Sequence, residues 1–540
     1  MLSAPNNTEL SFSRQLSFDF GIAEVKNITP EEQALLDITS ELDYSKFNRN
    51  MHRDTKVSPR QMIVLFLYGC MHQKTSSRDL KWLTERDVFI RAVIGETTEI
   101  SHSTIARFKH DNTEAFEDLF YQFVNKLGDM GELTKDTIYQ DGTKIEARSN
   151  KYTFIWKSFL LKMIDSRIGR LRKHAETAVE LNFLPSDLKS EDLTDQELIV
   201  QMTFVLEEIR SLNLPVPEKR GRGHRVDKRF KLMEQLDEEL STVGIYEEEL
   251  ALIGDDRNSM SKTDPDATFM HLKEDAMMNG QTKPAYNNQI AADSRYIVAT
   301  VTTCDRTDYN TVEPVFDKID RFLNWDYHNF TADSGYDCLS NFKYLEKRNV
   351  QAFIKPQNWE MRKKKSFGKD IGHYQNMQYD EENDEFICKN GKKLTFDKSR
   401  KNKYGDAEPY REYSCKEGCI GCPFHDKCIK HARRKAEPDE MKRFSVALEH
   451  WKYRSKAFDL LTTDEGARQR VNRSIQAEGV FAQIKGNNDF RRYDTFGFDG
   501  TFTEWLIQCF TYNLRWLAKR RYGSEETPQF PFLYELQLTA

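Results

Sequence analysis

Three acidic residues sit in sequence settings that suit metal-dependent phosphate chemistry. Asp141 lies inside DTIYQDGTKI (136–145), a run of β-branched and aromatic residues that reads as a strand. Asp333 closes another strand pattern in NFTADSGY, and Glu478 lies mid-helix in NRSIQAEGVFAQIKG. Phosphodiester transfer by two metals needs carboxylates that hold ions roughly 3.5–4 Å apart, one activating the attacking oxygen and one steadying the leaving oxygen. Hard oxygen ligands with open positions suit Mg²⁺ or Mn²⁺. Taken singly, Asp141-Gly142 reads equally as a turn and Glu478 as a solvated helix residue. Asp264, Asp266, Asp293, Asp305 and Asp308 compete for the role. Asp333 is preferred because it follows a fourth-strand pattern, and Asp264 or Asp266 can still lie near the site.

A second cluster is made of thiols. Cys415-x3-Cys419-x2-Cys422-x5-Cys428 lies on turn-rich sequence, with Cys388 upstream and His425 and His431 close by. Cys-x2-Cys pairs let a short loop aim two thiolates at one ion, so Cys415, Cys419, Cys422 and Cys428 are expected to hold a structural zinc. Cys388 or His425 is a replacement ligand. Free thiols in a loop are the plain alternative, and an iron–sulfur cluster is a lesser one. The N-terminus has no basic start followed by an apolar stretch, so no export signal is read and a cytoplasmic location is expected. Disulfides are not expected there.

The elements that must position these groups follow from periodicity. Residues 1–55 read as a polar arm. Residues 56–130 read as short helices, with Ser58-Pro59 opening the first and Ser101 or Ser103 capping a later one; they resemble a helix-turn-helix domain in which Arg107, Lys109 and His110 face DNA. A plain helical bundle fits the same pattern. Residues 131–156 carry the first strand. Residues 157–260 read as a helical insertion, a packed hairpin or short coiled coil, around the basic loop Lys219–Arg225. Residues 261–355 return to strand, strand, helix, strand, helix, strand. Residues 356–460 form a basic, cysteine-bearing insertion with too few apolar residues for a core of its own. In 461–525, Thr462 and Glu465 open a long helix that Gly486-Asn487 stops, and a largely apolar helix follows; 526–540 is a tail. Without the two insertions the order is that of an RNase H-like mixed sheet, in which acids on the first and fourth strands and on a late helix converge. The expected fold is therefore α/β.

Composition sets outer limits. With 540 residues the chain exceeds a single core, and no apolar run approaches the ~20 residues of a membrane span. A net charge of -6 argues against nucleic-acid binding. The basic residues are unevenly placed, however. Acidic residues crowd 185–275, while Arg362–Lys365, Lys398–Lys403, Arg433–Lys435 and Lys519–Arg521 fall later, which suits a DNA-facing side.

DGTKIEARSNKYTF (141–154), SKTDPDATFMHLKED (261–275), PAYNNQIAADS (284–294), TADSGYD (331–337) and NRSIQAEGVFAQIKGNNDFRR (472–492) together resemble the insertion-sequence DDE transposases of bacteria. The resemblance runs from about residue 56 to 520. It implies a DNA-cutting and strand-joining enzyme acting on terminal inverted repeats, with Asp141, Asp333 and Glu478 as a triad binding two Mg²⁺ or Mn²⁺ ions. The partners it implies are terminal-repeat and target DNA and a second copy of the chain in the DNA complex. A subgroup with a Tyr, Arg, Glu, Lys signature around its glutamate matches in part. Lys485, seven residues after Glu478, fits, while Ser474 holds the arginine position with Arg473 beside it, and Val471 holds the tyrosine position. Lys485 and Arg473 are the expected phosphate contacts. The rival readings are a catalytically silent DNA-binding derivative and an RNase H-like nuclease without strand transfer.

Overall fold

The computed structural model describes residues 28–47, 57–95, 98–150, 152–217, 226–255, 257–273, 277–402, 408–431 and 434–523. The basic loop Lys219–Arg225, Lys403 and Arg433 lie outside them. The described chain divides into two units: residues up to Leu133 with Ser294–Tyr296 and the stretch from Leu506 onward, and the remainder.

The first unit is helical. α1 (Pro30–Ser40), α2 (Pro59–Met71), α3 (Ser77–Arg86), α4 (Val88–Ile94), α5 (His102–His110) and α6 (Thr113–Asp129) are each defined by local chemistry. Ser58, Ser76, Asp87 and Ser101 accept hydrogen bonds from the first turns of α2 to α5, satisfying orphan N–H groups. Gly95 ends α4 at φ 102°. The expected arm at 1–55 is corrected by α1. Thr29 and Glu32 form a capping box around Pro30, and Ala34, Leu35, Leu36 and Ile38 are buried. Four apolar residues in one short run sufficed to dock this segment despite its polar surroundings. The C-terminal half of the last helix (Phe498–Arg521) completes the unit. There Phe510 stacks on Phe123, and Arg520 and Arg521 meet the buried Glu132 at 3.0 and 2.7 Å.

The second unit is built on a mixed sheet of β1 (Thr137–Glu146), β4 (Thr268–His271), β5 (Thr282–Asp293), β6 (Tyr296–Thr303), β7 (Asn329–Ala332) and β8 (Gln351–Ile354). The two-residue turn Ser294-Arg295, with φ of 52° and 68°, closes β5 onto β6, as residues with positive φ do in tight hairpins. β5 runs antiparallel to β1, β1 runs parallel to β7, and β7 runs parallel to β8. The order β6-β5-β1-β7-β8 is compatible with an RNase H-like core. α10 (Val312–Phe322) leads into β7 and α11 (Leu339–Lys347) leads into β8.

Between β1 and β4, the short ribbon of β2 (Phe154–Trp156) and β3 (Ser259–Ser261) brackets α7 (Lys157–Glu180), α8 (Asp195–Ser211) and α9 (Lys228–Ile253). Leu171, Leu198, Met202, Ile209 and Leu236 form their common core, so this segment is a three-helix pack and not a two-helix hairpin. Leu212 is exposed, because α8 ends at Ser211.

After α12 (Trp359–Arg362) and α13 (Lys365–Gly368), the polar, cysteine-bearing stretch folds into a second sheet. β9 (Gln378–Asp380), β10 (Glu385–Ile387), β11 (Lys393–Arg400), β12 (Tyr410–Ser414) and β13 (Arg443–Val446) run antiparallel in sequential order. α14 (His425–Cys428) lies between the last two. This sheet has its own core, against expectation. Phe386, Leu394 and Tyr413 are fully buried, with Tyr374, Tyr379, Phe444 and Trp451 packed on them. A few aromatic rings of roughly 150–250 Å² each do the work of many aliphatic residues. α15 (Leu448–Thr462) and α16 (Asp464–Arg473) then return the chain to the mixed sheet. α16 is capped by Thr463, one residue later than expected, because Thr462 belongs to the last turn of α15. Among the described residues no helix is long and apolar enough to cross a membrane.

Candidate active site

The mixed sheet and α16 bring the three sequence-predicted acids together. Asp141 stands in mid-β1, and Asp333 follows β7, whose parallel register sets Tyr139 opposite Thr331. Side chains alternate along a strand, so Tyr139 shares a face with Asp141, and Thr331 with Asp333. Onto that face α16 docks through one buried amide. Gln469 Oε1 accepts from Tyr139 Oη at 2.7 Å and from Thr331 Oγ1 at 3.5 Å, and Asn472 Nδ2 reaches the same Tyr139 oxygen at 3.4 Å. Four residues after Gln469, hence on the same helix face, Arg473 projects to the carboxylates. Its Nη1 lies 3.6 Å from Asp141 Oδ2 and its Nη2 lies 2.5 Å from Glu478 Oε1.

Glu478 ends a π-helical turn (Ser474–Glu478), and a second such turn follows at Gln483–Asn487. Wide turns of this kind often mark functional positions, because the extra residue re-aims the side chains around it. The chain beyond them returns to β1, where Glu146 N donates to Arg491 O and Tyr493 N donates to Glu146 O.

Asp333 and Glu478 both lie within electrostatic reach of Asp141. Burial above all, with Asp333 and Glu478 adding to it and Arg473 and the Gly142 N–H opposing it, pushes the Asp141 carboxyl up to about 7. Asp141 and Asp333 are half-buried and Glu478 is exposed, and like charges held near one another are costly without a cation. The Arg473 guanidinium supplies the positive charge between Asp141 and Glu478. An all-oxygen donor set with a cationic side chain lodged inside it fits a hard divalent ion. As the side chains are placed, no three His, Cys, Asp or Glu residues among those described are poised to hold an ion.

The competing acids separate cleanly. Asp264 accepts from Tyr286 Oη and Gly497 N, Asp266 accepts from Phe498 N, and Asp293 accepts from Thr134 and Lys135; these bonds staple loops. Asp308 lies beside the site. Its carboxylate accepts from the side-chain amides of Asn287 and Gln289, both at 2.8 Å, and lies next to Gly142 and Gly335, the glycines that follow the two catalytic candidates. Gln289 in turn accepts from Tyr336, Thr311 and Gln140. Neither this network nor Gln469 was legible in the sequence, since the partners lie far along the chain.

Gly142 is where the network meets the backbone. It pairs with Gln289 across β1 and β5, and a Cβ there would stand 2.2 Å from Gln289 Nε2. Gly142→Ala must push aside an amide that holds Asp308 and Tyr336. It is expected to destabilise the chain by about 1–3 kcal/mol, read as a lower midpoint in chemical denaturation with an unchanged slope.

The expected DNA contacts are placed less uniformly. Lys485 is half-buried and donates to Lys144 O at 3.1 Å, which ties it to β1. Arg107 and His110 are exposed on α5. Lys109 is corrected: it is buried, because it falls four residues after the fully buried Ile105 and next to Phe108 on the inward stripe of that helix.

Comparison with protein families adds one finding. Residues 387–518 match the model of the transposase DDE domain. That stretch of the chain is similar to a transposase DDE domain. The matched stretch includes Glu478, Arg473, Lys485 and the cysteine cluster, and the two aspartates precede it. No curated protein and no solved structure matches the chain.

Proposed function

We propose that the chain is the DNA transposase of a bacterial insertion sequence, acting on terminal inverted repeats and joining them to target DNA. The observation that carries this reading is the grouping of Asp141 with Asp333 and Glu478, with the Arg473 guanidinium between Asp141 and Glu478, on elements ordered as in an RNase H-like core. Two Mg²⁺ or Mn²⁺ ions bound there would activate the attacking oxygen and offset charge on the leaving oxygen. Asp141 and Asp333 hold fixed positions on the sheet, and Glu478 closes the site from the helix. Arg473, between Asp141 and Glu478, is a candidate contact for a DNA phosphate. Lys485, near the helix end, is the other candidate phosphate contact, and the helical N-terminal unit with exposed Arg107 is the candidate reader of the repeats. The active complex holds two copies of the chain.

The test is one reaction: purified protein, a duplex carrying the element's own end, a target plasmid and Mg²⁺. Nicks that leave a 3′-OH at the element end, followed by covalent end–target products, are expected. Cleaved ends that are never joined would reduce the protein to a nuclease, and uncleaved but bound ends would make it a silent derivative.

A further inference from the structure

The most built feature outside the carboxylate site is a cavity in the small sheet lined by Cys388, Cys415, Cys419, Cys422, Cys428 and His425. These thiols come from four separate pieces of backbone. Cys388 follows β10 in the tight turn to β11, where its N–H takes Lys392 O at 2.9 Å and Gly391 turns at φ 68°. Cys415 follows β12. Cys419 and Cys422 flank a turn in which Gly418 and Gly421 adopt φ of 95° and 69°, and Cys428 ends α14. Lys442, just ahead of β13, clamps the group, its N–H donating to Cys419 Sγ at 3.4 Å and its ammonium to Cys428 O at 3.1 Å. The Lys442 N–H aimed at the Cys419 sulfur and the glycines at positive φ suit a thiolate knuckle, because a charged sulfur needs donors and a tight loop must bring two of them to one ion.

Histidine does not compete. His425 Nε2 faces Glu440 O at 3.0 Å and its Nδ1 faces Asp426, while His431 faces Glu440. Cys415 is almost wholly buried in the aromatic core, and its thiol donates to Glu417 O at 3.0 Å as well as meeting Cys419. Cys388, Cys419, Cys422 and Cys428 line the same cavity and are each only half-buried, unlike Cys415.

We infer that Cys388, Cys419, Cys422 and Cys428, which as placed line one cavity without yet converging on a single point, draw together around one zinc ion as four thiolates, with Cys415 behind them as a packing thiol. The ligand set therefore exchanges Cys415 for Cys388 relative to sequence spacing. The exchange has a structural consequence: the ion ties the β10–β11 turn to the chain between β12 and β13, closing the sheet edge-to-end ahead of α15 and the Glu478 segment. The ion is saturated and takes no part in the carboxylate chemistry.

The full chain, purified under reducing conditions without added metal, should contain about one zinc per molecule by elemental analysis, released on titration with a mercurial. Cys419→Ser/Cys422→Ser should lose it and Cys415→Ser should keep it. Where a variant does not fold, cobalt exchanged into the wild-type chain gives the second readout, with charge-transfer absorption of a four-thiolate tetrahedral site expected. Zinc-free wild-type protein would overturn the site. A three-thiolate cobalt spectrum, or zinc kept by Cys388→Ser and lost by Cys415→Ser, would overturn the ligand set.

Discussion

Asp141→Asn, Asp333→Asn and Glu478→Gln should each lower DNA cleavage by about three orders of magnitude or more, an effect of about 4 kcal/mol on the barrier, while DNA affinity stays near that of the wild type. Each substitution keeps the size of the side chain and removes a charge that a divalent ion needs. The fold should tolerate all three. Asp141→Asn relieves a buried carboxyl already pushed up to about 7, so this variant should be no less stable than the wild type despite being inactive. Loss of activity together with retained or raised stability separates a metal-holding role from a structural one. Single-turnover cleavage and thermal melting on the same preparations read both.

The second large effect concerns Asp337, four residues after Asp333. Its side chain is fully buried and accepts from His450 Nε2 at 2.9 Å, Arg454 Nε at 2.8 Å and Gln357 N at 2.8 Å. These bonds tie the loop that carries Asp333 to α15, the helix that precedes the Glu478 segment. Asp337→Ala strands Arg454 and His450 without their partner and should cost about 3 kcal/mol or more of stability. Burial alone would raise the Asp337 carboxyl, but the bonds from His450, Arg454 and Gln357 N–H outweigh it and hold the group below the usual carboxylate range. The folded chain thus holds this proton less tightly than the unfolded one. The stabilisation is complete above the ordinary value near 3.8 and is lost as pH falls through the lower folded value. Wild-type protein should lose stability steeply in that acid window, and Asp337→Asn should show a flatter acid limb. Denaturant titrations at a series of pH values below 5 measure both.

The parts of the site that local pattern specifies were legible. A β-branched run marked β1, the run before Asp333 marked β7, and Ser58 and Ser101 marked helix starts, because strand alternation and capping are short-range properties. What escaped was set by partners distant in sequence. Asp337 lay within a recognised motif without a role, since its partners are at 357, 450 and 454. Gln469 reads as an ordinary polar helix residue until Tyr139 and Thr331 are placed against it. The second sheet escaped for another reason: three of its strands have only three or four residues, too short to show alternation, and its core is aromatic and sparse. Lys109 misled because three basic residues in one turn look exposed, whereas the four-residue repeat from Ile105 turns one of them inward. The arm missed α1 although Thr29-Pro30-Glu31-Glu32 spells a helix start.

In the proposed function Asp141 and Asp333 hold divalent ions, and the Arg473 contact to Asp141 gives way to them. Titration of Mn²⁺ into the protein bound to uncleaved end DNA, followed by the loss of the free-ion paramagnetic resonance signal, tests it most directly. The wild-type complex should take up ions that Asp141→Asn/Asp333→Asn does not, with both proteins folded and bound to DNA. A double variant whose Mn²⁺ uptake superimposes on that of the wild type would contradict the account.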